Sequence, residues 1–232
     1  MTEHQLKQIE VIDKIEQQVE TNSLSFSTVS PAQNYDKDSR KCLTSVHLPD
    51  KKLLLQIQQT LINPLRKVAP DFYYYSSDSL HMTIKNIRVV NDPPHFNEEV
   101  VKKAQKVFSE IITKHQQFQV YFYRLLLFPN NLALVGTTDS ELDNIILDLD
   151  QSLKKAEIPD DKTYINSRYF FSHMTLARFN SSPPEEFKKK VGELSNSLKF
   201  EPYTVDSVTL LSCNAFLKNR QIKGKWRLRK SS

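Results

Sequence analysis

Apolar residues recur at spacings of three and four near the start of the chain, at Leu6, Ile9, Ile12, Ile15 and Val19, and predict an amphipathic helix over 3–20. The polar stretch TNSLSFSTVSPAQNYDKDS at 21–39 predicts a linker, so residues 1–40 form an N-terminal appendage to a body over 41–232. Within the body one pattern is written twice. CLTSVHL at 42–48 predicts a strand; a Pro-Asp helix start and a helix over 49–68 follow, then a strand carrying His81. LALVGTT at 132–138 predicts a strand, then an Asp-Ser-Glu-Leu start and a helix over 139–156, then a strand carrying His173. Each histidine strand leads into a helix introduced by paired prolines, Pro93-Pro94 before 97–115 and Pro183-Pro184 before 184–198. Each of those helices precedes two strands, 118–127 with 132–138 and 203–212 with 221–229. A supersecondary unit repeated once predicts an α+β fold of two pseudo-symmetric lobes, each an antiparallel sheet with outer helices, around a central cleft. The lobe halves fall at about 41–130 and 131–232, with strand exchange between them allowed.

The two histidine strands read SLHMTIKN (79–86) and FSHMTLAR (171–178). On a strand, residues i and i+2 share a face, whereas on a helix they diverge. His81 and Thr83 therefore point one way while Met82 and Ile84 point to the core, and His173 and Thr175 likewise oppose Met174 and Leu176. The repeat sets the two histidines at equivalent points of the two lobes, facing each other across the cleft. The same alternation puts Lys85 with His81 and Thr83, in reach of a phosphate, and turns Arg178 away from His173 as a surface or structural arginine. Tyr169 and Phe171 share the His173 face, where they either stack on a base or pack as core.

Composition narrows the chemistry. The chain has 232 residues, 39% hydrophobic and 25% charged, as in an ordinary globular protein. With three glycines and neither G-x-G-x-x-G nor a Walker sequence, it argues against Rossmann and P-loop nucleotide chemistry. The net charge of +5 suits a polyanionic partner without demanding one. The start MTEHQLKQIE lacks the pattern of a signal peptide, and no apolar run is long enough to span a bilayer. Cys42 and Cys213 read as reduced thiols of a cytoplasmic protein, and neither stands at a metal-ligand spacing from a histidine. No metal and no cofactor is expected.

A lone His-x-Thr is commonplace, a half-buried histidine beside a β-favouring threonine. Two copies in register with a structural repeat need a cause. Two imidazoles across a cleft can act as general base and general acid, since each titrates near neutrality. Two hydroxyls beside them can donate to the non-bridging oxygens of a phosphate. An RNA phosphodiester or cyclic phosphate suits such a pair, because its neighbouring ribose hydroxyl must gain or lose a proton.

These stretches resemble the two-histidine (2H) phosphoesterase superfamily, in particular the 2′-5′ RNA ligase-like proteins, or RNA 2′,3′-cyclic phosphodiesterases. SLHMTI after the aromatic lead FYYYSSD (72–78), SHMTLAR, and FPNNLALVG (128–136) carry the likeness, which spans about 41–229. Two departures stand out: Lys85-Asn86-Ile87 replaces the family's Phe-Leu-Gly-like turn, and the helix over 3–20 has no counterpart. The resemblance implies that His81 is the proton donor and His173 the acceptor that activates water, with Thr83 and Thr175 on the phosphate. It implies a phosphodiesterase acting on RNA, oligonucleotide or cyclic nucleotide; displacement between two histidines needs no metal, and a monomer without cofactor is expected. Two alternatives remain open: a phosphodiesterase of cyclic or 2′-5′ oligonucleotide signals in an antiviral or counter-defence setting, and a non-catalytic RNA-binding module on the same fold.

Overall fold

The computed structural model describes residues 1–230 apart from 27, 28, 30, 31, 33 and 36. Those six positions fall in the stretch predicted as a linker, so that part of the expectation lies outside the described residues. Nine strands form two antiparallel sheets among the described residues. The first has the order β3-β1-β8-β9, from β1 (Lys41–His47), β3 (Met82–Asn91), β8 (Ser207–Cys213) and β9 (Gln221–Arg227). The second has the order β2-β6-β5-β4-β7, from β2 (Tyr73–Tyr74), β4 (Phe118–Phe128), β5 (Asn131–Thr138), β6 (Ser172–Arg178) and β7 (Tyr203–Val205). Two lobes are present, but neither is one half of the chain. β8 and β9 return from the C-terminal half to pair with β1, while β2 and β4 from the N-terminal half join the sheet of β5 and β6.

The helices lie where the apolar periodicity places them. α2 (Lys51–Ile57) starts at Asp50, whose carboxylate accepts from the Leu53 amide at 2.8 Å. It passes through a π-helical turn (Gln58–Ile62) into α3 (Asn63–Val68). The single helix expected here widens just ahead of Pro64, which has no N–H to give the preceding turn. α4 (Glu98–Ile112) is capped by Asn97 and packs on β9. α5 (Glu141–Lys155) packs on α4, and α6 (Glu185–Asn196) on β4. Met82 and Met174 are buried in one apolar core that runs through both lobes, with Leu43, Phe108, Leu134 and Val208. Among the described residues no helix is long and apolar enough to cross a membrane.

α1 (Glu3–Glu20) turns a different face to the body than its apolar stripe predicts. Its buried residues are Gln5, Gln8, Val11, Ile12 and Ile15, whereas Leu6 is exposed. Gln8 explains the rotation. Its amide nitrogen donates to the Thr138 hydroxyl at 2.8 Å and to the Phe170 carbonyl, and its amide oxygen accepts from the Thr138 backbone at 2.8 Å. So paired, the amide is buried with both its nitrogen and its oxygen satisfied.

Candidate active site

β3 and β6, one from each sheet, come into contact where the lobes meet. His81 immediately precedes β3 and His173 is the second residue of β6, each half-buried with its methionine neighbour in the core. A cavity of about 300 Å³ between the strands is lined by both histidines and both threonines, Thr83 and Thr175. A second cavity, of about 210 Å³, adjoins it on the His173 side. Among the residues the two share are Thr83, Asn86, Lys162, His173, Thr175 and Arg178. Cys42 and Cys213, opposite each other on β1 and β8 with Sγ atoms 3.5 Å apart, are free thiols on the wall of the larger cavity.

The alternation used for the sequence expectations holds as far as each threonine and then reverses. Thr83 and Lys85 of β3 sit opposite the consecutive residues Val46 and Ser45, so Ile84 is an extra residue. Thr175 and Ala177 of β6 sit opposite Ala133 and Leu132, so Leu176 is extra. Each strand thus carries a bulge directly after its His-x-Thr, and a bulge swaps the faces beyond it. Both residues at each bulge are buried, Ile84 with Lys85 and Leu176 with Ala177.

Two expectations are corrected by this. Lys85 does not stand beside Thr83: it is 3% exposed, and its ammonium is held by Asp160 at 2.6 Å and Asp150 at 3.4 Å. It borders the smaller cavity with its charge already compensated. Arg178 does not point away. Five residues after its histidine, it turns into the cleft, its Nε donating to the Tyr75 hydroxyl at 2.9 Å and its guanidinium 5.7 Å from the Phe216 ring centre. Asn86, five residues after His81, takes the equivalent place in the other lobe. Tyr169 and Phe171 both line the smaller cavity, Phe171 with its ring 6.2 Å from that of His173.

Asn86, Arg178 and Lys162 are among the cavity residues that strand parity missed. Lys162 lies on the irregular segment between α5 and β6, with its ammonium 5.0 Å from the Tyr164 ring centre, and borders both cavities. No periodicity marks such a residue.

The electrostatics follow from burial among cations. His81 is held down to about 4, mainly by burial, with Arg178 and Arg220 adding to it and a hydrogen bond to the Ser79 carbonyl opposing. That bond, 2.8 Å from Nδ1, fixes the proton on Nδ1, since a carbonyl only accepts. Nε2 is then left with its lone pair. His173 is held down to about 3, again mainly by burial, with Lys162, His81 and Arg178 adding to it. The cleft thus sets two neutral imidazoles beside the Arg178 guanidinium, which favours an anion, and beside Lys162, whose ammonium burial pushes down; the Asp161 carboxylate also lines the larger cavity. Among the described residues no group of three or more histidine, cysteine or acidic side chains is placed to hold a metal ion.

Two antiparallel sheets, each bringing a His-x-Thr strand to a common cavity, define a bilobal protein of the two-histidine type. The family model described as the 2′-5′ RNA ligase superfamily matches residues 54–215, and the chain belongs to that superfamily. The resemblance carried by the paired motifs is thus borne out. Solved structures share the fold at low identity. Escherichia coli LigT complexed with ATP is 16% identical, covering 82% of this chain and 99% of its own, with a TM-score of 0.51. TT0787 of Thermus thermophilus is 14% identical, covering 82% and 100%, with a TM-score of 0.52. The conserved protein ATU0111 of Agrobacterium tumefaciens is 15% identical, covering 88% and 96%, with a TM-score of 0.55. No curated protein sequence matches the chain.

Proposed function

We propose that the chain is a metal-independent phosphodiesterase that hydrolyses 2′,3′-cyclic phosphates or 2′-5′ linkages of RNA and oligonucleotides. One observation carries this reading: two His-x-Thr strands from different sheets line one cavity. In the proposed reaction water attacks phosphorus while His173 takes its proton, and His81 gives a proton to the departing ribose oxygen. The assignment of donor and acceptor follows the family resemblance, because the near-symmetric site does not distinguish them. Thr83 and Thr175 donate to the non-bridging oxygens, and Arg178 and Lys162 offset the charge gathering there. His81 must gain a second proton, on Nε2, to act as donor, and the bound phosphate supplies the field that favours it. LigT of the same fold is solved in complex with ATP, which agrees with a nucleotide-bearing phosphate as substrate.

The test is turnover of a nucleoside 2′,3′-cyclic phosphate, with products resolved alongside 2′-5′ and 3′-5′ dinucleotides. His81→Ala and His173→Ala should each lower kcat by about 10²–10⁴-fold, and a chelator should change nothing. Full activity in both variants would sink the reading. Salt-sensitive RNA binding without any product would instead favour a binding module.

A further inference from the structure

The smaller cavity owes one of its walls to residues outside the family match. α1 precedes the matched residues 54–215, yet its Val11 and Ile15 line this cavity. The register shows why. Val135 pairs with His173 and Ala133 with Thr175, so these β5 residues share the sheet face of the catalytic strand. α1 packs on that same face, against Ala133, Val135 and Leu126. It therefore stands one strand away from the His-x-Thr of β6. Phe26, just beyond the helix, and Tyr169 and Phe171, ahead of β6, complete a largely apolar, aromatic slot that shares His173, Thr175, Lys162 and Arg178 with the larger cavity.

The helix is a fixed wall. Gln8 is fully buried in its pairing with Thr138 and Phe170. His4 bonds Asp143 at 2.7 Å, and Asp143 in turn accepts from the Phe170 amide at 2.8 Å. Arg124 of β4 reaches Asp13 at 2.7 Å and Glu16 at 2.8 Å. These contacts tie the helix both to the sheet and to the segment carrying Tyr169 and Phe171.

We propose that this slot is a subsite for one nucleobase of the substrate, on the His173 side of the phosphate, with α1 as the element that creates it. The inference rests on the phosphodiesterase reading and adds a substrate class: nucleotides whose base enters the slot, as chain ends and short oligonucleotides do. Three features favour a base. The rings of Tyr169, Phe171 and Phe26 offer stacking surface, which accepts any base because every base has a π-face. The volume of about 210 Å³ is below the range usual for drug-sized ligands and suits one ring system. The slot shares lining residues with the cavity of the two histidines, so base and phosphate can be held at once. A chain running on across the sheet face toward β4 meets α1, so the base in the slot is a terminal one.

The test compares kcat/KM for a nucleoside 2′,3′-cyclic phosphate with that for the base-free glycerol 1,2-cyclic phosphate. The nucleoside substrate should be preferred about ten- to hundredfold, the range that stacking one base provides. Val11→Phe, which fills the slot, should lower that preference at least tenfold. Tyr169→Ala, which removes stacking surface outside the deep core, should lower it several-fold and decides the matter if Val11→Phe does not fold. No preference in the natural chain, or an unchanged preference in the folded variants, would overturn the subsite. If the chain turns over neither substrate, the phosphodiesterase reading fails, and binding decides the slot separately. Calorimetry should then show 2′-AMP binding at least tenfold tighter than inorganic phosphate, with the difference lost in Val11→Phe; equal affinities would reject the subsite.

Discussion

At the scale of single residues, the two imidazoles are balanced for an anion. Both are neutral at pH 7 in the free protein, held down to about 4 for His81 and about 3 for His173, chiefly by burial. Acid-base catalysis by a pair needs one of them protonated, and kcat/KM reports the free enzyme. Its pH profile should therefore be a bell with its maximum well below pH 6.5, the ordinary histidine value; a bell centred on 7 or above would contradict the geometry. Phosphate in the cleft favours both charged forms, so saturating inorganic phosphate should move both NMR titrations upward. The same shifts bear on stability. A histidine whose folded value lies below its unfolded value stabilises the fold fully above about 6.5, and that contribution is lost as pH falls toward 4. Buried His47, also held down mainly by burial, adds to the trend. Urea midpoints should fall between pH 6.5 and 4, and less so in a His81→Asn, His173→Asn double variant.

At the scale of elements, the strand is legible as far as its pattern is local. His81, Thr83, His173 and Thr175 follow from alternation and repeat, and the structure brings all four to one cavity. Lys85 and Arg178 do not follow, because a bulge is fixed by register against the neighbouring strand. Neither Ile84-Lys85 nor Leu176-Ala177 carries a glycine or asparagine that would announce one. The two residues accordingly trade roles, and two substitutions should separate them. Lys85→Met leaves Asp160 without its ammonium and Asp150 with Lys154 alone, and should cost about 1–3 kcal/mol of stability, the partial exposure of both carboxylates keeping it below the cost of a fully buried pair. Arg178→Met removes a charge lining the cavity of the two histidines and, on the proposed reaction, should lower kcat/KM about ten- to hundredfold, the worth of one charge-assisted hydrogen bond. Denaturation and kinetics on both proteins check this; the opposite assignment of losses would restore the simple alternation.

At the scale of the whole molecule, the chain closes on itself twice. The first sheet is completed by β8 and β9, the second by β2 and β4, so each lobe draws on both halves of the sequence. Composition and periodicity reveal the repeat; which strands pair is a property of the closed chain. One apolar core spans the lobes, which ties their unfolding together. α1 is the exception, because it lies on the His173 face of the second sheet above a separate small cluster of Ile12, Leu126 and Val135. Its attachment centres on Gln8, a residue that an apolar stripe assigns to the outside. Gln8→Leu keeps the bulk but leaves the Thr138 amide and the Phe170 carbonyl unpaired, at a cost of about 2–4 kcal/mol. Because α1 rests on its own cluster, that loss should appear first as local opening. Hydrogen exchange should speed up in α1 and at Thr138, while β1 and β8 keep their protection. If exchange accelerates equally in all strands, α1 belongs to the common core and the wall of the slot cannot move independently of the fold.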